Sequence, residues 1–155
     1  MEKYKVYNIN NVMENVKING WVSRVRNLGG LIFIDLRNRS GVIQVVVRPE
    51  NDYYALANTL KAEYVIEVSG IIVERENKNK KLKTGDIEIN ADKIVLINTS
   101  KDLPFQIDDN TTALDETRLK YRYLDLRRET LRENFVLRSK IMFSARNFLN
   151  NLDFL

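Results

Sequence analysis

Phe33, Gln44 and Glu88, with Arg24 and Arg26 ahead of them, are the residues of this sequence whose types and spacing could do chemistry. Each lies in a short run whose alternate positions are apolar. Ile32, Ile34 and Leu36 surround Phe33; Ile43, Val45 and Val47 surround Gln44; Ile87, Ile89 and Ala91 surround Glu88. Successive side chains of a strand point to opposite faces. If the apolar set fills a core, the others point outward. An outward phenylalanine is a stacking platform for a nucleobase. An amide both donates to and accepts from a base edge, and a carboxylate accepts from a base amino group. Arg24 and Arg26 suit a phosphate or a base edge. Each residue also has an ordinary alternative: a Phe covered by a neighbouring loop, a solvated Gln, a surface carboxylate. The lysines 78, 80, 81 and 83, with Asn79, fall in one loop that is either simply solvated or in contact with phosphate. Together these residues point to a binder of single-stranded nucleic acid without saying which one.

Other chemistries are excluded by composition. The 155 residues contain no histidine and no cysteine, so Ser-His-Asp and Cys-His mechanisms, disulfides and thiolate metal sites are ruled out. No paired acids converge at a readable spacing, so catalysis by carboxylates alone has no support. The formal net charge of +4 favours polyanionic partners only weakly. No apolar run is long enough to span a bilayer, and the opening MEKYKVYNIN lacks a signal-peptide pattern. The expected compartment is the cytoplasm, with no membrane partner.

The elements that must position these residues follow from alternation and turn chemistry. Strands are expected over residues 16–27, 31–37, 42–48, 64–75 and 86–97, with a helix over 52–60 capped by Asn51 or Asp52. Leu28-Gly29-Gly30 signals a hairpin and Ser40-Gly41 the next turn. In the first strand, Val16, Ile18 and Val22 share a parity that Arg24 and Arg26 then take over, which requires a bulge or bend near Gly20. Gly70 interrupts the fourth strand. Five antiparallel strands with a helix between the third and fourth match the OB-fold, a small Greek-key barrel that binds oligonucleotides on its second and third strands. The fold class is therefore mainly β, with a helical start to an α+β domain behind the barrel.

The domain organisation is read as a barrel over 1–100, a polar linker containing Pro104 over 101–129, and a new domain from 130 to 155. Leu137, Ile141, Ala145, Phe148 and Leu152 recur at helical spacing, giving a wide apolar face that needs a partner. The sequence stops at Asp153-Phe154-Leu155 with no polar tail.

Residues 20–47, GWVSRVRNLGGLIFIDLRNRSGVIQVVV, resemble the opening of bacterial-type aspartyl-tRNA synthetases. DLPFQID and ETRLKYRYLDLRR resemble the segment joining the OB domain to the catalytic domain in that family, and LRSKIMFSARNFLNNLDFL resembles the helix leading into motif 1 of class II synthetases. LKYRYLDLRR is the most specific piece, and it argues against the asparaginyl branch. The resemblance implies that the barrel binds the anticodon of aspartate tRNA. By position, Phe33 would stack on the central base, Gln44 and Arg26 would hydrogen-bond that base or its neighbour, Glu88 would read the first base, and Arg75 and Asn79 the third. Leu28, in the hairpin where relatives that also charge asparagine tRNA often carry His, implies specificity for aspartate tRNA. The intact family enzyme is implied to be a homodimer using ATP and Mg²⁺ to activate aspartate. This stretch, stopping inside motif 1, is expected to hold no cofactor and to be inactive alone. The rival from the residues themselves is a free-standing OB protein without sequence preference, which would need more stacking aromatics than Phe33.

Overall fold

The computed structural model describes Val12 and residues 14–80 and 82–154. Lys81 of the basic loop, Leu155, and the opening stretch read for a signal lie outside the described residues. The chain divides into two compact units, Met1–Lys101 and Asp102–Leu155.

The first unit is a closed barrel of β1 (Asn15–Leu28), β2 (Leu31–Asn38), β3 (Gly41–Val47), β4 (Val65–Glu74) and β5 (Ile87–Asn98), in the order β1-β2-β3-β5-β4. Helix α1 (Tyr54–Thr59) lies between β3 and β4 in sequence. The alternation expected of the strands holds: Ile32, Ile34, Leu36, Ile43, Val45 and Ile89 are fully buried in one core. The expectation that all strands pair antiparallel does not hold. β3 and β5 run parallel, pairing Gln44–Val46 with Glu88–Asn90. The strands alternate in direction around the chain, so two odd-numbered strands brought together to close the barrel must run the same way.

β1 is bent, at a point slightly later than its parity pattern suggests. Its first half, Asn15–Trp21, pairs with β4; its second half, Trp21–Leu28, pairs with β2. The bulge that shifts parity falls between Val22 and Arg24, leaving Ser23 as the extra residue. Gly20 serves a different purpose, since a Cβ there would lie 2.6 Å from the Arg37 carbonyl oxygen and 3.0 Å from the Leu36 side chain. The strand crosses β2 too closely for a side chain. Gly70 does not interrupt β4; it admits β5, because a Cβ would come within 2.2 Å of the Asn90 oxygen. A second bulge, at Asp92 on β5, accompanies that approach and has no mark in the alternation. The hairpin is confirmed: Gly29 and Gly30 take φ of +59° and +82°, the positive pair that a two-residue hairpin with the right twist requires.

The cap of α1 differs from expectation. Tyr53 occupies the N-cap without a side-chain bond, and the helix starts two residues later than read. Asn51 works one step earlier, accepting the Tyr53 amide at 2.8 Å and donating Nδ2 to the Ala91 carbonyl at 2.7 Å. It fastens the approach to the helix to β5.

The second unit contains α2 (Asp115–Lys120), α3 (Arg122–Asp125) and α4 (Glu129–Asn150). The stretch read as a linker to residue 129 thus includes two short helices, too brief for periodicity to reveal. Asp125 organises them. Its carboxylate is fully buried and is met by Arg118 Nε at 3.1 Å, Arg128 Nε at 2.7 Å and Arg122 Nη1 at 3.5 Å. α4 begins where Asp109 accepts from the Thr130 amide and hydroxyl at 3.2 and 2.9 Å. A carboxylate at a helix start satisfies an otherwise orphaned donor and complements the helix dipole. The apolar residues of α4, among them Leu137, Ile141 and Phe148, are exposed.

Candidate nucleic-acid interface

Two rows of side chains cross the outer face of the barrel. In the first, Arg26 on β1 stands opposite Phe33 on β2, which stands opposite Val46 on β3, beside Asn90 on β5. In the second, Arg24, Asp35, Gln44 and Glu88 follow one another from β1 to β5. Phe33 is half-buried and points away from the core, as parity requires of the neighbour of Ile32 and Ile34.

Gln44 lies at the centre and corrects the sequence reading. It faces outward by register, yet only 5% of its surface is exposed, so it is not a solvated amide. Its Nε2 donates to Glu88 Oε2 at 2.8 Å, and its Oε1 accepts from Arg75 Nη2 and, at 3.4 Å, from Arg26 Nη2. Arg75 Nε also lies 3.8 Å from Glu88 Oε2. The side chains of Arg26, Arg75 and Glu88 close over the amide, and Val46, also outward by register, is likewise buried. A buried amide bonded on both its oxygen and its nitrogen obeys the rule that buried polar groups are paired. It also fixes three charged side chains relative to one another.

Arg26 has a further partner, which alternation along β2 also turns outward. Asp35 Oδ1 receives Arg26 Nη2 at 2.7 Å. Arg26 Nε is buried and has no partner among the described residues. Asn79 lies in the loop after β4. Its backbone closes that loop, its amide donating to the Gly85 carbonyl at 2.9 Å and its carbonyl accepting from Leu82 at 3.1 Å. Leu28, 60% exposed, sits at the hairpin.

Burial pushes the Glu88 carboxyl above its ordinary value. The Gln44 hydrogen bond and the Arg75 charge pull it down, Glu76 pushes it up again, and Arg48 pulls it down. A carboxyl raised in the folded state contributes most to stability below its unfolded value, and that contribution is lost as pH rises through the folded value. Glu88→Gln keeps the shape but never ionises. The melting temperature of this variant relative to the parent should rise as pH is taken from the acid side of the carboxylate range to neutrality. A difference independent of pH would show that Glu88 ionises without cost.

Among the described residues no group of three or more Asp, Glu, His or Cys side chains could hold a metal ion. No described helix is long and apolar enough to cross a membrane. The arrangement offers a ring, two guanidinium groups and a carboxylate on one face, held in place by a buried amide, the inventory for holding an unpaired base by stacking and edge contacts.

Comparison with known proteins agrees. The family model for OB-fold nucleic acid binding domains matches residues 16–97, and that for class II tRNA synthetases (D, K and N) matches residues 114–155. An aspartate–tRNA ligase of Streptococcus agalactiae is 49% identical over 144 residues, 91% of this chain and 25% of that protein. One from Streptococcus pyogenes is 50% identical over 143 residues, 90% of this chain and 25% of that protein. The chain therefore spans about a quarter of the length of the curated relatives it matches. Among solved structures, the aspartyl-tRNA synthetase of Entamoeba histolytica superposes with a TM-score of 0.84 at 23% identity, covering 93% of this chain and 36% of that one. The asparaginyl-tRNA synthetase of Pyrococcus horikoshii gives 0.81 at 24% identity, covering 97% and 35%. At those identities the two structures speak for the fold. With the barrel, its outer face and the matching sequences in view, the chain belongs to the OB-fold nucleic acid binding domain family and corresponds to the N-terminal region of bacterial-type aspartate–tRNA ligases.

Proposed function

We propose that this chain reads the anticodon of aspartate tRNA as part of an aspartate–tRNA ligase. The observation that carries the reading is the half-buried outward ring of Phe33, set directly opposite Arg26 and beside the Gln44 network. Phe33 stacks on the central anticodon base. Arg26 contacts that base or its neighbour, with Gln44 behind it. Glu88 reads the first base; Arg75 and Asn79 approach the third. The basic loop lends phosphate contacts through its lysines. The barrel is the binding domain and residues 130–155 open a catalytic domain. The whole ligase is a cytoplasmic homodimer that activates aspartate with ATP and Mg²⁺; the described residues have no part in holding either.

The test is binding of an aspartate anticodon stem-loop, and of stem-loops with each anticodon base changed in turn, to the purified chain. Each change should weaken binding by about 5- to 150-fold, the range for losing one good base contact. Equal binding of every stem-loop would favour a protein that takes single strands without preference. The resemblance at Leu28 supports a ligase confined to aspartate tRNA. An asparagine anticodon stem-loop, which differs at the third base, should therefore bind more weakly than the aspartate one; equal affinities would remove Leu28 from specificity.

A further inference from the structure

Asp35 makes none of the base contacts assigned to the anticodon, yet it bears directly on where the Arg26 guanidinium points. Arg26 carries a long side chain on an outer strand face, one third exposed. A guanidinium so placed can grip any phosphate that arrives, and a phosphate contact carries no sequence information. The Asp35 carboxylate holds Arg26 Nη2 at 2.7 Å, while Gln44 Oε1 lies 3.4 Å from the same nitrogen. Arg26 itself stands directly opposite Phe33 in the strand register. The network of Arg26, Arg75, Asp35 and Glu88 joins two positive and two negative groups and so sums to zero. We propose that Asp35 is a positioning residue that sets specificity: it cancels the Arg26 charge and holds the guanidinium beside the base on Phe33, so that Arg26 reads a base edge instead of attracting phosphate. This rests on the anticodon-binding function proposed for the barrel.

Such a role differs from a merely structural one in two measurable ways. Asp35→Asn keeps the shape and leaves the network with one uncompensated positive charge. The full chain, Asp35→Asn, Arg26→Gln and the double variant are compared for affinity to the aspartate anticodon stem-loop and to one with its central base changed, over a range of salt. Asp35→Asn should lower the ratio of the two affinities by about tenfold, within the range a base contact spans. It should also steepen the slope of log affinity against log salt by up to about 0.7, the value for one additional phosphate contact on a single strand. In the Arg26→Gln background the same substitution should change neither quantity. An unchanged ratio and slope in Asp35→Asn, or equal changes with and without Arg26, would overturn the proposal. If circular dichroism shows Asp35→Asn unfolded, Asp35→Glu replaces it. That variant keeps the charge but moves it by a methylene, so the ratio should fall while the slope stays, and an unchanged ratio overturns the proposal as before. A parent chain that does not distinguish the two stem-loops would instead defeat the anticodon reading, and Asp35's role with it.

Discussion

Phe33→Ala should weaken binding of the aspartate anticodon stem-loop by about 5- to 150-fold while leaving the barrel folded, the range that follows from losing one stacked base. The reasoning is one of faces. Ile32, Ile34 and Leu36 hold the inward positions of β2 and are essentially inaccessible, whereas Phe33 lies across the sheet between Arg26 and Val46, half-buried and outside the core. Truncating a core phenylalanine costs about 3–5 kcal/mol of stability. Removing a stacking platform costs about 1–3 kcal/mol of binding per base. The two outcomes separate when melting temperature and affinity are measured on the same variant. Some loss of stability is expected, because the ring shields Val46, but it should fall well short of a core truncation. A large drop in melting temperature would make Phe33 a core residue. Unchanged affinity at unchanged stability would leave it with no part in recognition.

The largest stability effect in the second unit is expected from Asp125→Ala. Burial alone would raise the Asp125 carboxyl, but hydrogen bonds from Arg118 and Arg128, aided by their charges, outweigh it and hold it below its ordinary value. The sign follows: a depressed carboxyl contributes stability above its unfolded value, and the contribution disappears as pH falls through the lowered folded value. Alanine removes the carboxylate that Arg118, Arg122 and Arg128 share, leaving Arg118 with Asp115 and Arg128 with Asp109. Breaking a fully enclosed pair costs about 3–5 kcal/mol. Arg122 is half exposed and Arg118 partly so, and solvent screening reduces the expected loss to about 1–3 kcal/mol. Hydrogen exchange of backbone amides over residues 115–130 should accelerate accordingly, and the difference from the parent should narrow in acid. Unaltered exchange at neutral pH would mean that the arginines find other partners at no cost.

How far the sequence revealed these arrangements depended on the range over which each was determined. Phe33 was legible because its orientation is set by residues one and two positions away. The Gly29–Gly30 turn was legible because two positive φ angles call for glycine. The bulge in β1 was visible as a change of parity but not located, since Gly20 drew attention to itself for a different reason, the close crossing of Leu36 and Arg37. The burial of Gln44 was not legible. It depends on Arg75, just past the end of β4, and Glu88 on β5, and alternation within β3 says only which way the amide points. The pairing of Asp35 with Arg26 was hidden for a similar reason: parity put both outside but not in contact. The role of Asp109 as the acceptor at the start of α4 has no local mark, because it lies 21 residues before Thr130, far beyond the three-residue reach of a capping box.

The parallel contact between β3 and β5 has a consequence for the order in which the protein comes into being. Only three residue pairs join these strands, and one of them is Gln44 with Glu88, 44 positions apart. Contacts between distant positions must offset the entropy of closing a long loop, which slows their formation. A nascent or partly folded chain with β1 to β3 already assembled would display Phe33, Arg26 and Asp35 but would lack Arg75 and Glu88. The Gln44 amide gains its Glu88 partner only when the last strand docks, so the polar network of the outer face is completed by the closure of the barrel itself.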